Sequence, residues 1–207
     1  MAMSNVLQQM EKFGVFLPRY LSEASANALL QDLLKFPEEF DSRVFSFTAA
    51  AEPGLLYQGD GFANLDFVFL PKLAKLPGKG LILSNTCDMD PTNEKAVPRL
   101  VVYSPIFSLS RFQAQLVSAK SNAFAEDYIG KIRRQEISQL FYLPAGPQTS
   151  EESFVDLAQI NHCTREMLTK EQVKTNRLFS LNNTGFYVLL FKLSVFFCRL
   201  QEGIDRK

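Results

Sequence analysis

Ser84, Asn85, Thr86, Cys87 and Asp88 place two hydroxyls, an amide, a thiol and a carboxylate in five consecutive positions, with the ammonium of Lys79 shortly before them. Thiols and hydroxyls act as nucleophiles, carboxylates move protons, and a lysine stabilises developing negative charge. Pro77-Gly78 followed by the apolar run Leu81-Ile82-Leu83 predicts a buried strand that stops at Ser84. Loops held at the ends of rigid strands are where chemistry and binding concentrate, so Cys87 and Asp88 are the sharpest candidates. The same residues have a structural reading. Ser, Asn, Thr and Asp also end strands by bonding their own backbone, and a single Cys often packs as a small hydrophobe.

Composition narrows the chemistry. Three cysteines, Cys87, Cys163 and Cys198, have no paired spacing, which argues against a disulfide framework or a zinc site and fits a reducing compartment. His162 is the single histidine, so a His-rich metal site is excluded. A thiol enzyme would need Cys87 as nucleophile, His162 as base, and Asp88 or Asp156 to orient it. Twenty-two basic residues balance 22 acidic ones, so any contact with nucleic acid must be local. Nineteen Phe and no Trp make flat apolar side chains dominant, enough for a core and for a docking surface. No cofactor is expected. The polar N-terminus lacks a signal pattern, and Lys192 and Arg199 divide the longest apolar stretch, which predicts a cytoplasmic protein without a membrane span.

The positioning elements read as one α+β domain spanning 1–207. Residues 1–40 form a helical preface: a short helix over Ser4–Phe13, an extended Val15–Pro18, then a helix capped by Ser22 that runs to about Phe36 before Pro37. Strands are expected from Arg43, at Leu55–Asp60, at Asp66–Leu70, at Arg99–Ile106 and at Gln113–Val117, with Gly59, Gly61 and Asn64 as turn formers. Pro105 marks a strand end or an edge. Ala123–Leu140 has helical periodicity, with Lys131, Arg133 and Arg134 on a solvated face. Phe141–Leu143, Phe154–Leu157 and Ile160–Met167 supply the last strands, and an apolar helix closes the chain over 183–201.

The order Gln58-Gly59-Asp60, the apolar strand 66–70, Gly80-Leu81-Ile82-Leu83-Ser84-Asn85 and Val101-Val102-Tyr103-Ser104-Pro105-Ile106 resembles the PemK/MazF toxin family. The similarity covers about Tyr57 to Ser108. It implies an SH3-like β-barrel over 43–165, with the helix 123–140 inserted, and a toxin–antitoxin or phage-defence role in bacteria. Members that cleave RNA carry an Arg before the Ser-Asn strand and a Thr after Pro-Ile. Here Gly78 and Phe107 occupy those positions, with Lys79 and Ser108 next to them.

Two further functions follow from these residues. An endoribonuclease-like protein would hold RNA with Lys79, Arg99 and Arg111, use Asp60, Asp66 or Asp88 for proton transfer or to hold a metal, and place Ser108 near the scissile phosphate, with Ser84 and Asn85 as binding groups. A non-catalytic adaptor would instead dock a protein partner, an antitoxin or a second copy of itself through Phe-rich surfaces, with the C-terminal helix as the oligomer contact.

Overall fold

The computed structural model describes residues 22–38, 40–46, 54–69, 71, 74–94, 96–146 and 149–197. It divides into two units, 1–39 and 40–207. In the first, α1 (Glu23–Leu34) begins where Ser22 accepts a hydrogen bond from the Ser25 amide at 3.2 Å, the N-cap its sequence predicts. The expected helix over Ser4–Phe13 and the extended segment after it lie outside the described residues.

The second unit is built on an antiparallel sheet of eight strands: β1 (Phe45–Ser46), β2 (Asp60–Phe69), β3 (Ala74–Ile82), β4 (Leu100–Ser108), β5 (Leu140–Leu143), β6 (Ser153–Asp156), β7 (Asn161–Thr164) and β8 (Arg177–Leu181). Their order is β1-β8-β2-β3-β4-β6-β5, with β7 also on β4. The α+β class therefore holds. Among the described residues the path is open, since β1 and β5 end it and do not pair with each other, so the expected barrel closure is absent.

Leu81 and Ile82 are both fully buried, as an unbroken apolar run between two neighbouring strands requires. Pro77 and Gly78, expected to precede this strand, lie inside it. The reason is local: β4 pairs with β3 only at Gly80–Ile82, so the Pro77 segment has β2 as its single neighbour and needs no ladder donor on its other side. Pro105 follows the same logic within β4. It falls opposite the break between β6 and β7, where the register jumps from Ile106↔Val155 to Tyr103↔Asn161.

The strand expected at Leu55–Asp60 is a turn, and the turn expected between it and Asp66 is strand: β2 runs unbroken from Asp60 to Phe69. Gly61 and Asn64 do not end β2. A bulge between Phe62 and Leu65 absorbs Asn64, whose φ is 57°. Gly61 is small because β8 lies close: a Cβ there would come within 2.2 Å of the Phe179 ring. Residues 55–59 form the turn before β2, closed by Gly59 at φ 89°.

The helices of this unit are α2 (Thr86–Met89), α3 (Leu109–Ala119), α4 (Asn122–Arg133), α5 (Lys170–Asn176) and α6 (Asn183–Phe197). Gln113–Val117, expected as a strand, is helical. Its apparent alternation is too short to outweigh Leu109, Phe112 and Leu116 at helical spacing behind the Ser108 cap. The helix expected over Ala123–Leu140 stops early. Ile129 and Ile132 are its buried face, Gln135 turns left-handed at φ 59°, and Leu140 already begins β5. The pair α5 and β8 has no counterpart in the sequence reading, although Thr169 and Gln172 form a capping box.

Gln135 finishes the sheet. Its side-chain amide donates to the Tyr142 carbonyl at 2.9 Å and accepts from the Tyr142 amide at 3.1 Å, occupying the backbone groups that β5 turns away from β6. Lys192 of α6, itself buried, donates to the Gln135 carbonyl. The main core, Leu56, Phe62, Phe67, Ile82, Met89, Val101, Tyr103 and Val173 among others, lies under β2, β3 and β4. No helix among the described residues is long and apolar enough to cross a membrane.

Candidate functional site

β4 carries a candidate cluster at each end. Arg99 and Ser108 are nine residues apart, about 30 Å at the rise of an extended strand, so groups at the two ends cannot act on one phosphate.

At the C-terminal end, Ser108 ends β4 and caps α3, accepting from the Arg111 amide at 3.4 Å. Its hydroxyl donates to Glu151 Oε2 at 2.6 Å, and Ser110 donates to the same oxygen at 3.4 Å. Glu151 lines a shallow, open cleft together with Lys79, Ser150, Ser153, Ile106 and Phe179. The pairing of Gly80 with Pro105 sets Lys79 beside Ile106 and so brings it here. The chain next to Glu151 is anchored: Arg133 grips Glu152 with two bonds of 2.8 and 2.6 Å, and Tyr142 donates to it at 2.6 Å. The Arg133 hydrogen bonds hold the Glu152 carboxyl below its usual range, and burial pushes the Tyr142 hydroxyl up. Arg111 sits exposed in the first turn of α3.

At the other end are the residues that the sequence singles out first. Ser84 donates to the Leu100 carbonyl at 3.1 Å and accepts from the Val102 amide at 2.8 Å, riveting the end of β3 to β4. Asn85 caps the single turn α2, accepting from the Cys87 amide at 2.9 Å. Thr86 accepts from the Gln58 amide at 3.1 Å. The turn drives Met89 into the core and leaves Cys87 and Asp88 exposed. Asn93 ties the Cys87 carbonyl at 2.6 Å, and Arg99 in turn donates to the carbonyls of Pro91, at 3.3 Å, and Asn93. Asp90 spends one carboxylate oxygen on the Thr92 amide and hydroxyl, at 2.8 and 2.7 Å, which lowers its pKa.

Lys79 and Ser108 thus meet at one end, whereas Ser84, Asn85, Cys87, Asp88 and Arg99 gather at the other. Asp66 belongs to neither: it forms an ion pair with Lys75 at 2.9 Å, and its carbonyl accepts from Tyr103 at 2.6 Å. Among the described residues no hydrogen bond joins Cys87 to His162, and the Asp156 carboxylate serves Gln139, Gln159 and the Ala158 amide. No group of three or more His, Cys, Asp or Glu among the described residues is placed to hold a metal.

The fold makes two further side chains central: Glu151, which the sequence reading passed over, and Asp60, which it offered for proton transfer. Glu151 lies 43 residues from Ser108 and reaches it through the β4–β6 pairing. Asp60, only weakly marked by Gly59-Asp60, is fully buried against Arg177 at 2.9 Å, with Ser180 donating at 2.5 Å and the Tyr57 amide at 2.9 Å. Burial pushes this carboxyl up, against the pull of Arg177 and the other donors. Compared with known proteins, the chain matches no family model and no curated sequence.

Proposed function

We propose that this protein acts on RNA, cleaving the phosphodiester backbone at the cleft between β3, β4 and the Glu151 segment. The supporting observation is the convergence of Lys79 and Glu151 on one cleft, with Ser108 hydrogen-bonded to the carboxylate. Transesterification of RNA needs no metal, only a base for the ribose 2′-hydroxyl and a cation for the phosphorane. Glu151 takes the 2′-hydroxyl proton, the 2′ oxygen bonds to phosphorus, and Lys79 meets the charge on the non-bridging oxygens. The P–O5′ bond then breaks, and the leaving oxygen takes a proton from water. Ser108 and Ser110 orient the carboxylate, and Arg111 stands near for a neighbouring phosphate. The strands β2, β3 and β4 that carry the PemK/MazF-like stretches lie side by side, which supports an SH3-like core opened by the additions after Ser108.

The test is cleavage of a panel of single-stranded RNAs by the purified protein. Lys79→Ala and Glu151→Gln are each expected to lower the rate at least about 100-fold, the usual worth of a positioned acid–base group. Asp88→Ala, at the opposite end of β4, leaves it unchanged. Intact RNA with folded wild-type protein overturns the reading. A second reading, docking to a protein or to another copy of this chain, is favoured by the exposed Phe191, Val195 and Phe197 of α6.

A further inference from the structure

Arg165 follows β7 directly and is 93% buried, yet among the described residues no carboxylate lies within ion-pair distance of its guanidinium. Its Nη1 donates to the Leu168 carbonyl, and its buried Nε has no acceptor. Arg99 is its neighbour across the β4–β7 seam, joined by a backbone bond from the Arg165 amide to the Arg99 carbonyl at 2.8 Å. The Arg99 side chain spends its Nη2 on the Pro91 and Asn93 carbonyls, and its buried Nε also lacks an acceptor. Arg165 therefore keeps its Nε edge, the edge that meets an oxyanion with two parallel bonds as Arg133 meets Glu152 through Nε and Nη2, whereas Arg99 keeps Nε alone. Buried charge without a counter-charge is costly, and buried donors in native proteins are nearly always satisfied. Asp90 acts on both arginines and Glu166 on Arg165, but only through space: Asp90 gives one oxygen to Thr92, Glu166 is exposed on the same 3-10 turn, and neither is hydrogen-bonded to a guanidinium among the described residues.

We propose that Arg99 and Arg165 form a binding site for a phosphoryl group at the β4–β7 seam, entered beside the Asp90–Asn93 turn. Two guanidinium groups match a dianion, and the Nε donors are the groups it would satisfy. This site is independent of the Lys79–Glu151 cleft, at the far end of β4, and needs no RNA cleavage to be real.

Thermal unfolding of the full chain, in phosphate-free buffer at fixed ionic strength, provides the test. Inorganic phosphate at about one hundred times its Kd is expected to raise Tm by roughly 5–10 °C. Matched chloride and acetate leave Tm in place. Arg99→Gln removes the phosphate response, and should that variant fail to fold, Arg99→Lys keeps the charge, lacks Nε and is expected to bind phosphate about tenfold more weakly. An equal shift in chloride, or a full phosphate response in a folded Arg99 variant, overturns the proposal. Stabilisation by a nucleoside 5′-monophosphate as well as by phosphate identifies a phosphoryl group carried on a larger ligand, whereas stabilisation by phosphate alone identifies the free ion.

Discussion

Two seams of the sheet bury an arginine, and they treat it differently. At the β2–β8 seam Arg177 meets Asp60, and the carboxylate is also held by Ser180 and the Tyr57 amide. At the β4–β7 seam the Arg165 and Arg99 side chains hydrogen-bond backbone carbonyls alone among the described residues, and Asp90 and Glu166 reach them only through space. A cation that brings its own anion closes the fold on itself. One that does not is left to seek its anion from outside, and that contrast separates a structural seam from a binding one.

The largest effect that can break this contrast is expected at Asp60. Asp60→Ala leaves Arg177 buried and uncompensated and should cost about 3–5 kcal/mol in urea unfolding. A loss below about 1 kcal/mol would mean that Arg177 finds solvent and that the two seams do not differ.

Lys192 extends the comparison to a third buried cation, whose hydrogen-bonded partner among the described residues is the Gln135 carbonyl. Burial lowers its pKa to about 8 in the folded chain, while an unfolded lysine titrates near 10.4. Below pH 8 both states hold the proton. Between about 8 and 10 the unfolded chain binds more protons, so this group makes stability rise with pH across that window. Lys192→Met should remove that rise and stabilise the protein at pH 7 by about 1 kcal/mol, read from unfolding at several pH values.

The smallest effect is expected at Arg165. In phosphate-free buffer Arg165→Met should fall within about 1 kcal/mol of wild type, because no ion pair is broken. A loss near that of Asp60→Ala would show an internal counter-charge at the β4–β7 seam and sharpen the contrast away.

Much of the scaffold was legible in the sequence because it is written in local terms. The apolar run at Leu81–Leu83, the Ser22 cap and the strands near Phe141 and Phe154 each depend on residues within a few positions of one another. What escaped depends on distant partners. Asn64 looks like a turn until β3 pairs through it, and Pro77 looks like a boundary until β4 proves too short to need its missing N–H. The polar stretch after Leu83 was conspicuous by type, yet Ser84, Asn85 and Thr86 use those side chains to bind backbone. Glu151 was inconspicuous by type and is placed only by the pairing of β4 with β6. Arg165 carried no signal, since burial of a charge is a property of the finished sheet.

The Gln135 amide has a consequence for how this protein behaves in a crowd. A sheet that ends in bare backbone invites a neighbour to add a strand. Here one glutamine side chain presents the donor and acceptor of a further strand to Tyr142, and Lys192 steadies it from α6. The sheet is thereby terminated by a single residue at that position, a punctuation mark that lets an open architecture stay finite without curling into a ring.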